Sequence, residues 1–255
     1  MDSSYLDFSG KIVLVTGGSR GIGRETALAF ADAGADIAIA SRKLEGLEEV
    51  AREIRAMGRQ CLCVPTHAKK SEELYSLVES VMSEYGRIDI LVNNAATNPA
   101  MGAIVDTDPE MFNHIVDTNL KGYFLLSKLV GKIMQNQESG NIINISSAGG
   151  VSPAQGLGPY CISKAGINML TKQMAMEMGP HNVRVNSICP RIVKTGFSQA
   201  LWSNDKLMAA EFKNTPLKCV ATPQEIAQAA LFLASSATNY MTGHDLVMNG
   251  GAFFR

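Results

Sequence analysis

"KIVLVTGGSRGIGRETALAFADAGA", residues 11–35, passes from a β-branched apolar run through a glycine-rich turn into an amphipathic segment. Branching at Cβ favours strand, and the apolar spacing after Gly23 lines one face of a helix ending near Gly34. The stretch therefore reads as strand, turn, helix. Its turn, "TGGSRGIG" at 16–23, lies where a dinucleotide fingerprint belongs, after a strand and at the opening of a helix. Gly17 permits the tight turn, Gly21 lets the backbone approach a pyrophosphate, and Gly23 allows the helix to pack closely. The helix N-terminus adds N–H donors and positive potential.

Outward from this unit the alternation repeats. "DIAIAS", "QCLCVPT", "IDILVNNAA", "GNIINISS", "VRVNSIC" and "HDLVMN" read as strands. "LEGLEEVAREIRAMG", "SEELYSLVESVMSEYG" and the segments 108–137, 159–179 and 223–235 read as helices. Short apolar strands separated by helices imply a parallel sheet covered on both faces, because each right-handed crossover lays a helix against the sheet. No linker, repeat or low-complexity tract divides the chain, so 1–255 reads as one domain. The segment 196–216, "GFSQALWSNDKLMAAEFKNTP", interrupts the alternation at the carboxyl edge of the sheet and is expected to form a substrate lid.

Composition narrows the function classes. The 255 residues are 46% hydrophobic and 18% charged, ordinary for a globular protein with a substantial core. With 23 basic and 24 acidic residues the net charge is −1, which argues against a nucleic-acid footprint. The N-terminal "MDSSYLDFSG" has no signal-peptide character, and no apolar run reaches the roughly 18 residues of a membrane span. A cytoplasmic, membrane-free protein is expected. The five cysteines, Cys61, Cys63, Cys161, Cys189 and Cys219, lack paired metal spacing and read as core thiols of a reducing compartment, so no metal site is expected.

The end of the second strand bears on cofactor choice. A site for NAD carries a carboxylate there for the ribose diol, and a 2'-phosphate would be repelled by one. Here the residue is Ser41, followed by Arg42, whose guanidinium can grip a phosphate bidentately. Arg20 in the glycine turn adds a second cation. The combination favours NADP(H).

One more pair carries chemistry. In "GPYCISKAG", residues 158–166, Tyr160 and Lys164 are one helical turn apart, on one face. An ammonium there can stabilise a phenolate. Taking a phenol from its usual ~10 to ~7 needs roughly 4 kcal/mol of differential stabilisation.

Together "TGGSRGIG", "NNAA" at 93–96, "ISS" at 145–147 and "YCISK" at 160–164 resemble the short-chain dehydrogenase/reductase family, along nearly the whole chain. The resemblance implies a Rossmann-type, doubly wound α/β fold with seven parallel strands and a homotetrameric assembly. It also implies a catalytic tetrad of Asn119, Ser147, Tyr160 and Lys164. Tyr160 would supply the proton, Ser147 would hold the substrate oxygen, and Asn119 would position a water relaying protons to Lys164. Ser147 is preferred to Ser146 because the family spacing from serine to tyrosine is thirteen, and side chains adjacent on a strand face opposite ways. Cofactor contacts carry over to Gly17, Ser19, Arg20, Gly21, Ile22, Gly23, Ser41, Arg42, His67, Ala68, Asn94, Ala95, Tyr160, Lys164, Pro190, Val193 and Thr195.

Two positions depart from the family pattern. "THAK" places His67 and Ala68 where an aspartate and an apolar residue hold adenine. "CPRIVKT" places Arg191 where a glycine stands beside the nicotinamide, so that either the backbone is constrained or Arg191 selects an acidic substrate or contacts another chain. Within the family the motifs look most like NADP-dependent carbonyl and retinol reductases. The expected activity is interconversion of a small-molecule ketone and a secondary alcohol. A 3-oxoacyl thioester reductase is the alternative, and a non-catalytic NADP-binding sensor is the reading from a different class. The loop 148–159, the residues after Ala96, and the lid around Trp202 and Met208 are expected to line the substrate pocket.

Overall fold

Seven parallel strands form one sheet: β1 (Ile12–Thr16), β2 (Asp36–Ser41), β3 (Cys61–Pro65), β4 (Ile90–Asn93), β5 (Gly140–Ile145), β6 (Val183–Pro190) and β7 (Asp245–Met248). Their order across the sheet is β3-β2-β1-β4-β5-β6-β7. The computed structural model describes residues 3–99 and 101–253.

The strands are apolar on both sides because both sides are covered. On β1, Val13 and Val15 belong to one core with Ile37 and Ile39 of β2, while Ile12 and Leu14 belong to the other with Ala38 and Ala40. The first core is closed by α1 (Gly21–Asp32), α2 (Leu44–Ala56) and, from the far end of the chain, Ile226, Ala230 and Leu231. The second is closed by Leu77 and Val81 of α3 (Ser71–Tyr85) and by residues further along. Period-two alternation thus survives inside runs that look uniformly apolar.

The 108–137 segment is two helices, α4 (Pro109–Val116) and α5 (Gly122–Gln137), joined by a π-helical turn over Asp117–Lys121. α5 contributes Leu126, Val130 and Met134 to the second core. α6 (Gly158–Met178) follows β5 and carries both Tyr160 and Lys164. After β6 the chain makes two short helices, α7 (Gln199–Trp202) and α8 (Asp205–Asn214), within the expected lid segment. The last helix, α9 (Pro223–Ala234), starts with a capping box between Thr222 and Glu225.

Because all strands run the same way, Thr16, Ser41, Asn93, Ile145 and Pro190 end at one edge of the sheet. β1 lies between β2 and β4, so the connections after β1 and β4 depart to opposite faces. A crevice opens at that switch point.

Candidate active site

The glycine turn is built around atoms that leave no room for side chains. Gly17 and Gly21 have φ of +67° and +57°, a region costly for any residue with a Cβ. A Cβ on Gly23 would lie 2.3 Å from the Gly17 carbonyl oxygen and 2.5 Å from Asn94 Nδ2, so the opening of α1 packs on the turn itself. Gly18, absent from the expected set, is equally constrained: its Cβ would meet Ile39 Cγ2 at 2.8 Å.

The loop after β4 clamps this turn. Asn94 Nδ2 donates to the Thr16 carbonyl at 2.9 Å, and Thr16 Oγ1 accepts from the backbone N–H groups of Asn94 and Ala95 at 2.9 and 3.1 Å. Thr16 was not expected among the site residues, although its place just before two glycines marks it. On the other side, Thr195 Cγ2 is 3.3 Å from where a Gly21 Cβ would stand.

A cleft of about 1280 Å³ runs along this edge of the sheet. Its lining includes Gly17, Ser19, Arg20, Gly21, Ile22, Ser41, Arg42, His67, Ala68, Asn94 and Ala95, and further on Ser147, Tyr160, Lys164, Pro190, Val193 and Thr195. Two expected residues are not in the lining, Gly23 and Asn119. The shape fits a dinucleotide: a turn without side chains at a helix N-terminus, then a long channel to a group of hydroxyls.

At the β2 end Arg20 and Arg42 are exposed, and among the described residues neither has an ion-pair partner. His67 Nδ1 accepts from the Lys69 N–H at 3.2 Å, so in the neutral ring Nε2 carries the hydrogen. Burial, with Arg42 nearby, pushes the His67 pKa down. His67 thus offers a neutral N–H donor to the cleft.

At the other end Ser147 and Tyr160 meet. Ser147 Oγ accepts from the Gly149 N–H at 3.0 Å, and its hydroxyl lies close enough to Tyr160 to act on the phenol. Ser146 points the other way and donates to the Lys164 carbonyl at 3.1 Å. Burial pushes the Tyr160 phenol up to about 12, the Ser147 hydrogen bond opposing it in part. Burial pushes Lys164 down to about 7. Lys164 Nζ donates to the Ile145 carbonyl at 2.8 Å and lies 5.6 Å from the Tyr160 ring centroid.

Two of the expected catalytic residues have polar groups engaged elsewhere in the chain. Lys164 shares a helix face with Tyr160, where burial, opposed in part by Ser147, dominates the phenol. Burial makes the lysine itself a poor cation, and its hydrogen bond goes to a carbonyl on another element. Asn119 lies on the π-helical turn, fully buried, with Oδ1 accepting from Thr97 N at 2.8 Å. Its Nδ2 donates to the Thr97 carbonyl at 2.9 Å and to Ser163 Oγ at 3.2 Å. The side chain fastens the loop after β4 onto α6. Tyr123, four residues on, was not expected: its hydroxyl shares the Ile145 carbonyl at 3.2 Å and Lys164 Nζ stands 5.2 Å from its ring centroid.

The lid segment around Trp202 and Met208 borders the cleft, though not through those two side chains. Trp202 Nε1 donates to the Thr195 carbonyl at 2.8 Å, and Met208 is buried, so neither faces the cleft. Leu201 and Leu207, their immediate neighbours, do. Arg191 has no left-handed backbone, so its position does not need glycine. Its guanidinium is also occupied within the chain, by Glu211 of α8.

Comparison with known proteins agrees with this architecture. The family model described as Enoyl-(acyl carrier protein) reductase matches residues 17–252. The chain is 34% identical over 242 residues to "Dehydrogenase/reductase SDR family member 4" of Oryctolagus cuniculus, covering 95% of this chain and 93% of that one. It is also 34% identical over 243 residues to the 3-oxoacyl-(acyl-carrier-protein) reductase FabG of Thermotoga maritima, covering 95% and 97%. Among solved structures, a 7α-hydroxysteroid dehydrogenase complexed with NADH and 7-oxo glycochenodeoxycholic acid superposes with a TM-score of 0.94 at 31% identity. That match covers 98% of this chain and 97% of the other.

Proposed function

The chain belongs to the short-chain dehydrogenase/reductase family, oxidoreductases that bind nicotinamide cofactors, and from that premise we propose that it is an NADP(H)-dependent enzyme interconverting a ketone and a secondary alcohol. The observation that carries the reading is the convergence of the Ser147 and Tyr160 hydroxyls in one cleft with two unpaired guanidiniums at its far end.

A nicotinamide cofactor held by the glycine turn and the loop after β4 would supply or accept the hydride. Ser147, its lone pair engaged by the Gly149 N–H, aims a hydrogen at the carbonyl oxygen where charge develops. Tyr160, held protonated at neutral pH, gives that oxygen its proton. A phenol pushed up to about 12 suits reduction directly, since the alkoxide formed is a far stronger base. Lys164 Nζ stands 5.6 Å from the Tyr160 ring centroid, beside the phenolate left behind.

The choice of NADP(H) is supported by the chain's own residues. Ser41 leaves no carboxylate at the end of β2, and Arg20 and Arg42 are free to take a 2'-phosphate. A homotetramer is supported by the apolar residues left exposed on α5 and α6, Phe124, Met169 and Met176. A cytoplasmic setting is supported by five free cysteines; among the described residues no helix is long and apolar enough to cross a membrane.

The likeness to a 3-oxoacyl-(acyl-carrier-protein) reductase supports a second reading, in which the ketone is a 3-oxoacyl thioester. Initial rates on plain ketones and on 3-oxoacyl thioesters, each with NADPH and NADH, test both. Faster turnover of plain ketones with NADPH supports the first reading, and dominance of thioesters supports the second. NADPH binding without any turnover would leave only the sensor.

A further inference from the structure

The residue after Pro190 closes the reaction end of the cleft with a charge that is already spoken for. Arg191 Nη2 donates to Glu211 Oε2 at 2.8 Å, and Nε donates to Oε1, a bidentate pair from the end of β6 to α8. Thr215 Oγ1 donates to the same Oε1 at 3.4 Å, and the Arg191 N–H is pinned to the Met248 carbonyl at 3.0 Å. Both side chains line the cleft and both are partly covered, Arg191 at 33% exposure and Glu211 at 18%.

Apart from Lys164, whose charge burial disfavours and whose Nζ donates to the Ile145 carbonyl, the cleft around the pair is apolar or uncharged. Met101, Leu157, Phe197, Leu201 and Leu207 line it from three connections. The other charged lining residues, Arg20, Arg42, Lys43, Glu45 and Glu49, belong to the glycine turn, the β2–α2 connection and α2, across the sheet from β6.

We propose that the Arg191–Glu211 pair is a specificity element that makes the substrate end of the cleft electrically neutral, so that the enzyme accepts uncharged carbonyl compounds and rejects those bearing a carboxylate. This rests on the oxidoreductase reading above. Glu211 takes the Nε–Nη2 edge of the guanidinium and cancels its charge, so the donors of the Nη1 edge have no net positive field behind them. An incoming carboxylate must either share an already neutralised guanidinium with a second anion, or lie unpaired against leucine side chains. Both are unfavourable. An uncharged substrate meets neither penalty.

The test uses one ketone in two charge states, 7-oxooctanoate and its methyl ester. Wild-type enzyme should favour the ester by at least tenfold in kcat/KM. Glu211→Gln unmasks the guanidinium and should move the carboxylate-to-ester ratio at least tenfold toward the carboxylate. Arg191→Gln unmasks the carboxylate and should move it at least tenfold the other way. Equal use of both substrates by wild type, or a ratio unmoved in whichever variant folds, overturns the proposal. Binding of octanoate and methyl octanoate, followed by fluorescence of Trp202, the chain's single tryptophan, separates the two readings. The same opposite shifts in binding with no turnover would sustain the specificity element and sink the oxidoreductase. Turnover of the ester with unmoved ratios does the reverse.

Discussion

Lys164 Nζ is hydrogen-bonded to the carbonyl of Ile145 at 2.8 Å, at the point where β5 ends. The same carbonyl accepts from the Tyr123 hydroxyl, so the lysine head is held between two phenol rings with one shared acceptor and no carboxylate. Burial accordingly lowers its pKa to about 7, against ~10.4 for a free lysine.

Stability should therefore depend on pH in a defined window. Between about pH 7 and 10 the unfolded chain holds a proton that folded Lys164 has lost, so stability attributable to this residue rises with pH across that range. Below pH 7 both states are protonated and the cost of burying the charge is at its full value. Buried thiols begin to oppose the trend above about pH 8.5, so the window to use is pH 7 to 8.5. Urea melts of wild type and Lys164→Met at both ends of it should show the wild type gaining on the variant as pH rises. Parallel curves would mean that Lys164 is charged in the folded state at pH 7.

Replacing Tyr160 by Phe removes one oxygen and the proton it carries. Turnover in the reductive direction should fall by about 10²–10⁴-fold, the usual range for a positioned general acid. NADPH affinity should change little, because the glycine turn and both arginines are untouched. A variant retaining most of its rate would move the proton donor elsewhere.

Arg42→Asp places a carboxylate where a 2'-phosphate is expected and removes a guanidinium. Losing a charge-assisted hydrogen bond costs about 1.5–3 kcal/mol, and repulsion adds to it, so the preference for NADPH over NADH should drop at least roughly tenfold. Comparison of kcat/KM for the two cofactors reads this directly. An unaltered preference would leave Arg42 as a solvated surface charge.

Asn119→Ala deletes three hydrogen bonds in a fully buried place and strands the Thr97 N–H and carbonyl. The cost should be about 2–4 kcal/mol, read as a Tm lower by roughly 5–15 °C, with turnover falling as the loop after β4 loosens. Lost activity at an unchanged Tm would instead assign Asn119 a direct part in the chemistry.

The sheet was legible because a parallel strand covered on both faces needs an unbroken apolar run, and "IVLVT" and "DIAIAS" are such runs. The glycine turn was legible for a similar reason: backbone at positive φ admits few residues other than glycine. What escaped reading depended on distant partners. The π-helical turn at Asp117–Lys121 leaves the apolar periodicity of its helices almost unchanged. That Leu201 and not Trp202 faces the cleft is settled by the Thr195 carbonyl, since a four-residue helix has no amphipathic face of its own to follow. The i, i+4 spacing sets Lys164 beside Tyr160, but the acceptor of its Nζ lies on a strand nineteen residues earlier. The partner of Arg191 comes from α8, twenty residues later, and nothing local announces it.

The Thr16 hydroxyl, gripped by two N–H groups of the β4 loop while the Asn94 amide grips back, makes the phosphate turn a finished mould before any ligand arrives. Little ordering entropy is left for a dinucleotide to spend there, so its pyrophosphate can act as a fixed hinge pin for the rest of the molecule. Adaptation to a different cofactor is thereby confined to the loose end of β2, where the exposed Arg42 side chain can be exchanged without recasting the mould.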